Sequence, residues 1–185
     1  MQTREILARL IGFDTVSSLP NIALIGWVRD LLADAGVTAQ VIPDATGTKA
    51  NLYATIGPQD RPGVMLSGHT DVVPVEGQVW THQPFRLTEA DGRYYGRGAA
   101  DMKGFVACAL AAAQAAARRP LATPLHLALS HDEEVGCLGV VSLIGILAQA
   151  PFRPAMCIVG EPTGMQVATG HKGKIALRAT CTGRE

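Results

Sequence analysis

The sequence predicts an α/β layered domain. Two stretches near the N-terminus carry apolar residues at helical spacing, and a run of short strand-like segments follows them. From residue 64 onward the chain alternates between apolar strands and helices, and ionisable side chains recur where the strands end. At 185 residues the chain is long enough for one domain with a real core.

Ile6, Leu7, Leu10 and Ile11 recur at helical spacing, and Thr3 can cap that helix. Residues 15–20 form a loop. Asn21 can cap a second helix whose buried face is Ile22, Ile25, Val28, Leu31 and Leu32, with Gly36 at its C-terminal stop. Residues 37–42 and 51–56 read as strands joined by the polar stretch 44–49. A short buried strand over 64–66 leads into Gly68. Segments 85–88 and 93–95 flank the turn residues 89–92 and signal a β-hairpin. An alanine-rich helix over 103–118 follows, ended by Arg118, Arg119 and Pro120, and its small residues let it lie close to a sheet. A central strand over 125–129 contains His126, a packed histidine rather than a ligand. A helix over 138–148 and a strand over 154–159 complete the pattern.

Composition excludes several functions. Nearly half of the residues (48%) are apolar and 17% are charged, which describes a soluble globular chain. Sixteen basic residues balance sixteen acidic ones, so no basic patch points to nucleic acid and no charge run points to a membrane surface. No apolar run reaches transmembrane length, and the N-terminus lacks the features of a signal peptide. Cys108, Cys137, Cys157 and Cys181 form no C-x-x-C pair, and they read as reduced thiols of a cytoplasmic protein.

The chemistry gathers at strand ends. Residues i and i+2 of an extended chain face the same side, so His69 and Asp71 share one space. A metal-ligating histidine needs its second nitrogen held by an acceptor, and Asp71 can supply one or can hold a nearby group. Asp101 follows the glycines at 96 and 98 and opens the alanine-rich helix; alone, it reads as a helix cap. That loop matches neither phosphate-binding glycine motif. His131, Asp132, Glu133 and Glu134 crowd the end of an apolar strand, where desolvated carboxylates need partners. Adjacent residues of an extended segment point apart, so one glutamate can take a metal while the other faces a water. Glu161 stands at the next strand exit. One imidazole among several carboxylates suits zinc or a similar divalent ion, and a shared carboxylate suits two. A spare glutamate can move the water's proton to a leaving nitrogen, which gives metal-assisted amide hydrolysis. Ser67 and Ser130 lack the G-x-S-x-G context of a serine nucleophile.

Four motifs then stand in order. They are Ser67-Gly68-His69-Thr70-Asp71, Tyr95-Gly96-Arg97-Gly98 with Asp101-Met102-Lys103-Gly104, Asp132-Glu133-Glu134-Val135-Gly136, and Gly160-Glu161-Pro162-Thr163. Together they resemble the dinuclear zinc amidohydrolase and exopeptidase family, which includes acetylornithine deacetylase, succinyl-diaminopimelate desuccinylase, carboxypeptidase G and aminoacylase. Residues 47–52, 133–137 and 170–173 are most similar to the acetylornithine deacetylase branch.

The resemblance implies a three-layer α-β-α catalytic domain with a mixed, largely parallel sheet. It implies that residues 1–175 form the first half of that domain and 176–185 begin a passage into a lid and dimerisation domain, entered by a strand over 173–182. It implies two divalent ions, zinc or alternatively cobalt. His69 and Glu161 would hold the first, Asp101 would bridge, Glu134 would bind the second, Glu133 would be the general base and acid, and Asp71 would orient the site. His171 would line the pocket, and the peptide joining Asp101 to Met102 would be cis. The family's late histidine for the second ion has no counterpart in the sequence, and Gln83 replaces the usual acidic residue before Pro84-Phe85. The implied substrate is a small N-acyl amino acid, N2-acetyl-L-ornithine first, for a homodimeric enzyme of arginine biosynthesis. The alternatives are a desuccinylase, another N-acyl-amino-acid hydrolase, or a metal-binding fragment without turnover.

Overall fold

The structure is a computed structural model and describes residues 1–170, 172, 173, 175 and 177–183. Helix α1 (Thr3–Ile11) buries Ile6, Leu7, Leu10 and Ile11. Its N-cap is Gln2 rather than Thr3, because the Glu5 carboxylate reaches back to accept from the Gln2 N–H at 2.9 Å. Helix α2 (Ile22–Ala33) starts after Asn21, but that side chain caps nothing. It donates to the Ala50 carbonyl and to Thr70 Oγ1, each at 2.9 Å, and accepts from the Ala50 N–H at 2.8 Å. Ile22 is exposed and Leu24 buried. At about 100° per residue, Leu24 shares the arc of Ile25, Val28, Leu31 and Leu32, and Ile22 falls off it. Gly36, at φ 77°, ends the helix with the paired bonds of a left-handed stop: Val37 N–H to the Leu32 carbonyl and Gly36 N–H to the Ala33 carbonyl, both 2.9 Å.

Strands β1 (Ala39–Pro43), β2 (Ala50–Ile56) and β3 (Val64–His69) come next. A separate hairpin of β4 (Thr88–Ala90) and β5 (Arg93–Tyr95) turns through Asp91 and Gly92, both at positive φ, so its loop is two residues rather than four. Helix α3 (Lys103–Ala116), strand β6 (Leu125–Ser130), helix α4 (Val140–Gln149) and strand β7 (Met156–Val159) follow. The sheet order is β1-β2-β6-β3-β7. The sheet is mixed: β1 with β2 and β2 with β6 run antiparallel, while β6 with β3 and β3 with β7 run parallel.

Alternation of side chains makes three layers. Leu52, Ala54 and Ile56 of β2 join Leu127 and Leu129 of β6 in the core shared with α1, α2 and α3. Asn51, on the other face of β2, donates to the Gly139 carbonyl at 2.6 Å and to Ser142 Oγ at 2.8 Å, which pins α4 to that face. Among the described residues of the stretch 173–182 none lies in a strand.

The topology brings one edge of the sheet into use. His69 registers against Ser130, and Ser67 against Val159. The C-terminal ends of β3, β6 and β7 therefore share one edge, and antiparallel β2 begins at the same edge. Two glycines permit this packing. A Cβ on Gly160 would fall inside the ring of Phe105 on α3, and one on Gly104 would strike the Ala99 carbonyl.

Candidate metal centre

His69 is the centre of the cluster and is 2% exposed. Its Nδ1 lies 2.9 Å from the Asp71 carbonyl oxygen and 3.6 Å from Asp71 Oδ1. That acceptor fixes the ring and leaves Nε2 aimed outward. Nε2 is 3.1 Å from Asp101 Oδ1, 3.8 Å from Glu161 Oε1 and 3.9 Å from Glu133 Oε2. Two overlapping groups result, with candidate ligand atoms within 4.8 Å of one another: His69, Glu133 and Glu161, and His69, Asp101 and Glu134. The three expected ligands of the first ion thus converge. The expectation that Glu133 and Glu134 point apart fails, since both face His69. The loop after β6 is a turn, with Asp132 at φ 56°, and alternation belongs only to extended chain.

Asp101 does not cap α3. Met102 is the N-cap residue, the Asp101–Met102 peptide is cis, and the Asp101 carboxylate meets His69. Asp71, also 2% exposed, organises more than its neighbour. It accepts from Ser17 Oγ at 2.7 Å, from the Glu133 N–H at 3.1 Å and from the Glu134 N–H at 3.2 Å. One carboxylate so joins the 15–18 loop, the end of β3 and the backbone of both glutamates.

The electrostatics follow from this geometry. Burial opposes charge on His69, but the Asp71 carboxylate bonded to it, with the Glu161 charge, outweighs burial and lifts its pKa to about 9. Burial would raise Asp71, yet bonds from His69, Ser17 and the Glu133 N–H hold it below the usual carboxylate range. Glu134 and Glu161 are raised, chiefly by burial and then by the Asp101 charge, with His69 opposing. At neutral pH the imidazolium is the cation among these acids. One imidazole nitrogen with gathered carboxylate oxygens is a donor set suited to zinc and similar divalent ions. A cavity of about 570 Å³ opens beside it, lined by His69, Glu133, Cys137, Val159 and Glu161 among others. A larger hollow of about 820 Å³, around Arg4, Trp80, Tyr94 and Tyr95, brings no candidate metal-ligating group together among the described residues.

Several positions escaped the sequence reading. Lys49 donates to Asp132 Oδ1 at 2.6 Å and to the Ser17 carbonyl at 2.5 Å, tying the acidic loop to the 15–18 loop. Thr70 donates from both N–H and Oγ1 to the Ser130 carbonyl at 2.9 Å, locking β3 to β6 where the ligands leave. Lys103 is 1% exposed, and Cys137 Sγ lies 3.4 Å from Glu133 Oε1. Lys103 and Lys49 each stood within a stretch that carried the family resemblance, which was the available signal; Ser17 carried none. His171 lies outside the described residues.

Known proteins resemble this chain in sequence and in fold. The chain is 36% identical over 187 residues to the acetylornithine deacetylase of Pasteurella multocida (strain Pm70), covering 97% of this chain and 48% of that protein. It thus spans about half the length of that curated relative. The M20 family metallo-carboxypeptidase Sso-CP2 from Sulfolobus solfataricus superposes with a TM-score of 0.74 at 20% identity, covering 86% of this chain and 37% of that one. Human carnosine dipeptidase 1 gives a TM-score of 0.67 at 25% identity over 77% of this chain and 34% of its own. No helix among the described residues is long and apolar enough to cross a membrane. Residues 65–178, which carry all four motifs from Ser67 to Thr163, match the family described as Peptidase family M20/M25/M40. The chain belongs to this family of hydrolases.

Proposed function

We propose that the protein carrying this chain is a metal-dependent deacetylase that releases acetate from N2-acetyl-L-ornithine. The observation that carries this reading is the convergence of Asp101, Glu133, Glu134 and Glu161 on His69. The 36% identity to an acetylornithine deacetylase supports the choice of substrate.

His69 Nε2 and Glu161 would hold one divalent ion, Glu134 a second, and Asp101 would serve both. Bound ions supply Lewis acidity to the scissile carbonyl and acidity to water. Zinc is the proposed metal, with cobalt an alternative. Glu133 takes the proton of the attacking water and delivers it to the departing α-amino nitrogen. Its side chain is about one-third exposed, 36%, and so open to substrate. Asp71 fixes the His69 ring and, through the Glu133 and Glu134 N–H groups, sets where both glutamates start. Residues 1–175 form the first half of the catalytic domain, and 176–185 begin the passage to a lid that pairs two subunits in the cytoplasm.

The test is ornithine release from N2-acetyl-L-ornithine by the full-length protein, with zinc or cobalt, beside N-succinyl-diaminopimelate and a β-alanyl dipeptide. A larger kcat/KM for either competitor overturns the substrate assignment. A Glu133→Gln variant is expected to keep its metal content and lose at least about a hundredfold in kcat. The 185-residue chain by itself is expected to turn over none of the three, since positioning by the remainder of the protein accounts for a large part of the barrier.

A further inference from the structure

Two side chains at the start of β2 grip the loop that carries both glutamates. Asn51 is buried; it accepts from the His131 N–H at 3.1 Å and donates to the Gly139 carbonyl at 2.6 Å, which closes the base of the loop. Lys49, two residues earlier, reaches the loop itself, and its Nζ donates to Asp132 Oδ1 at 2.6 Å. Both side chains of that pair are mostly buried, and a charge-assisted bond of this length is among the strong ones. The same Nζ donates to the Ser17 carbonyl at 2.5 Å. Ser17 Oγ in turn donates to Asp71 Oδ2 at 2.7 Å, and Asp71 accepts from the N–H groups of Glu133 and Glu134. These bonds close a ring that runs through Lys49, Asp132, Glu133, Asp71 and Ser17 and returns to Lys49.

The ring bears on the turn that faces both glutamates towards His69. Asp132 stands there at φ 56°, and a residue with a side chain keeps that conformation where its surroundings over-determine it. Lys49 holds the Asp132 side chain directly, one peptide before Glu133. The Glu133 carboxylate is itself weakly held: it is about one-third exposed, and its neighbour Cys137 Sγ, at 3.4 Å, is a poor donor. Its aim therefore depends on its backbone. Lys49 is not among the described residues that line the cavity beside His69, so it does not meet substrate there. A shift of about 1 Å at a reacting group can cost about a hundredfold in rate, even when the change that causes it lies away from the chemistry.

We propose that Lys49 is a positioning residue for the proton carrier: by holding Asp132 against the 15–18 loop it fixes the turn that aims Glu133 at the attacking water. The proposal rests on the reading of Glu133 given above. It makes Lys49 a residue felt in kcat rather than in substrate binding, and one whose effect passes through Glu133. Glu134 follows the same turn, so saturating zinc is needed to keep metal occupancy constant.

The experiment compares the full-length protein with its Lys49→Met, Asp132→Asn and Glu133→Gln variants, and with Glu133→Gln combined in turn with each of the other two. All are assayed at saturating zinc on whichever of the three substrates wild type turns over fastest. Methionine keeps an unbranched stem without the charge, and asparagine tolerates positive φ as aspartate does. Lys49→Met and Asp132→Asn are each expected to lose about ten- to a hundredfold in kcat, with KM within about twofold of wild type. Each double variant is expected to be no slower than Glu133→Gln alone, because a change that acts only through Glu133 has nothing left to misplace. Losses that multiply in the double variants overturn the proposal, since the pair then acts on the fold or the metal. So does an unchanged kcat in Lys49→Met, or a rise in KM that accounts for the whole loss. If Lys49→Met does not fold, Asp132→Asn carries the same comparison; failure of both to fold overturns the proposal, because the pair is then scaffold. A Glu133→Gln variant as fast as wild type sinks the reading of Glu133, and the proposal falls with it; a slow Glu133→Gln beside a fast Lys49→Met sinks the proposal alone.

Discussion

His69 and Glu161 leave the ends of two neighbouring parallel strands, yet the two ends are built differently. The His69 end is sealed. His69 and Asp71 are each 2% exposed, and Thr70 ties β3 to β6 by two hydrogen bonds. The Glu161 end is open. All four residues of β7 are exposed, and the Glu161 side chain is 38% accessible. Preorganisation therefore resides in β3 and the loops it grips, and Glu161 joins a cluster that other residues have already shaped. Substitutions at the two ends should separate fold from metal binding.

The largest effect belongs to Asp71→Ala. It leaves the Ser17 hydroxyl, the N–H groups of Glu133 and Glu134, and the His69 imidazolium without their buried acceptor. Removing one partner of such a network costs about 3–5 kcal/mol. Urea unfolding of the metal-free protein should show a loss of that size, and zinc affinity should fall with it. A loss below about 1 kcal/mol, the ordinary cost of a surface change, would show that the sealed end does not depend on Asp71.

The second effect is pH dependence in the metal-free protein. His69 titrates near 6.5 when unfolded and near 9 when folded. Below pH 6.5 both states hold the proton and the full contribution is present. As pH rises towards 9 the unfolded chain has already lost its proton, so stability falls, by at most roughly 3 kcal/mol. Lys103 acts in the opposite sense. Burial lowers it to about 8 from 10.5, so its contribution rises across that range. Melting temperature should thus decline between pH 6.5 and 8, level off as the two opposing contributions meet between 8 and 9, and recover above 9. Saturating zinc takes the place of the His69 proton and should remove the decline; a decline that persists in zinc would mean that His69 is not a ligand.

Gly160→Ala probes the seam between the two ends. The added methyl would enter the Phe105 ring, and overpacking of this kind costs about 1–3 kcal/mol. Pairing it with Phe105→Leu should recover part of the loss in urea unfolding. Full additivity of the two changes would show that β7 and α3 do not meet there.

The difference between the two ends also explains what the sequence made legible. Period and turn residues revealed the helices and strands, since those signals are local. The residues gathered around His69 were visible because each stands at a strand exit or, for Asp101, in the turn before a helix, within a recognisable motif. The wiring was not visible. Asn21 is a good cap by type, but its amide spans from α2 to β2 and Thr70, a contact set by tertiary packing. Ser17 and Lys49 sit in polar loops that look solvated, and only folding brings them to Asp71 and Asp132. The inward turn of Glu133 and Glu134 depends on positive φ at Asp132, which an aspartate does not announce.

Glu161→Gln should have the smallest effect on the fold and therefore gives the cleanest test of the contrast. The carboxylate is partly exposed and leaves the exposed strand β7. Burial and the Asp101 charge raise its pKa, with His69 opposing, so the folded metal-free protein disfavours its negative charge. Removing that charge relieves repulsion within the cluster, and solvent screening keeps the gain small. Stability without metal should stay within about 0.5 kcal/mol of wild type and lean towards stabilisation. Zinc binding should respond differently, because an amide oxygen is a far poorer zinc ligand than a carboxylate. Loss of one such donor should weaken the first site at least about tenfold, as even indirect ligand partners do. Paired urea unfolding and chelator titration of the same preparation decide the matter. If stability falls by the amount expected for Asp71→Ala while zinc affinity holds, then Glu161 is part of the scaffold, and the open end of the sheet is not where the metal takes its last ligand.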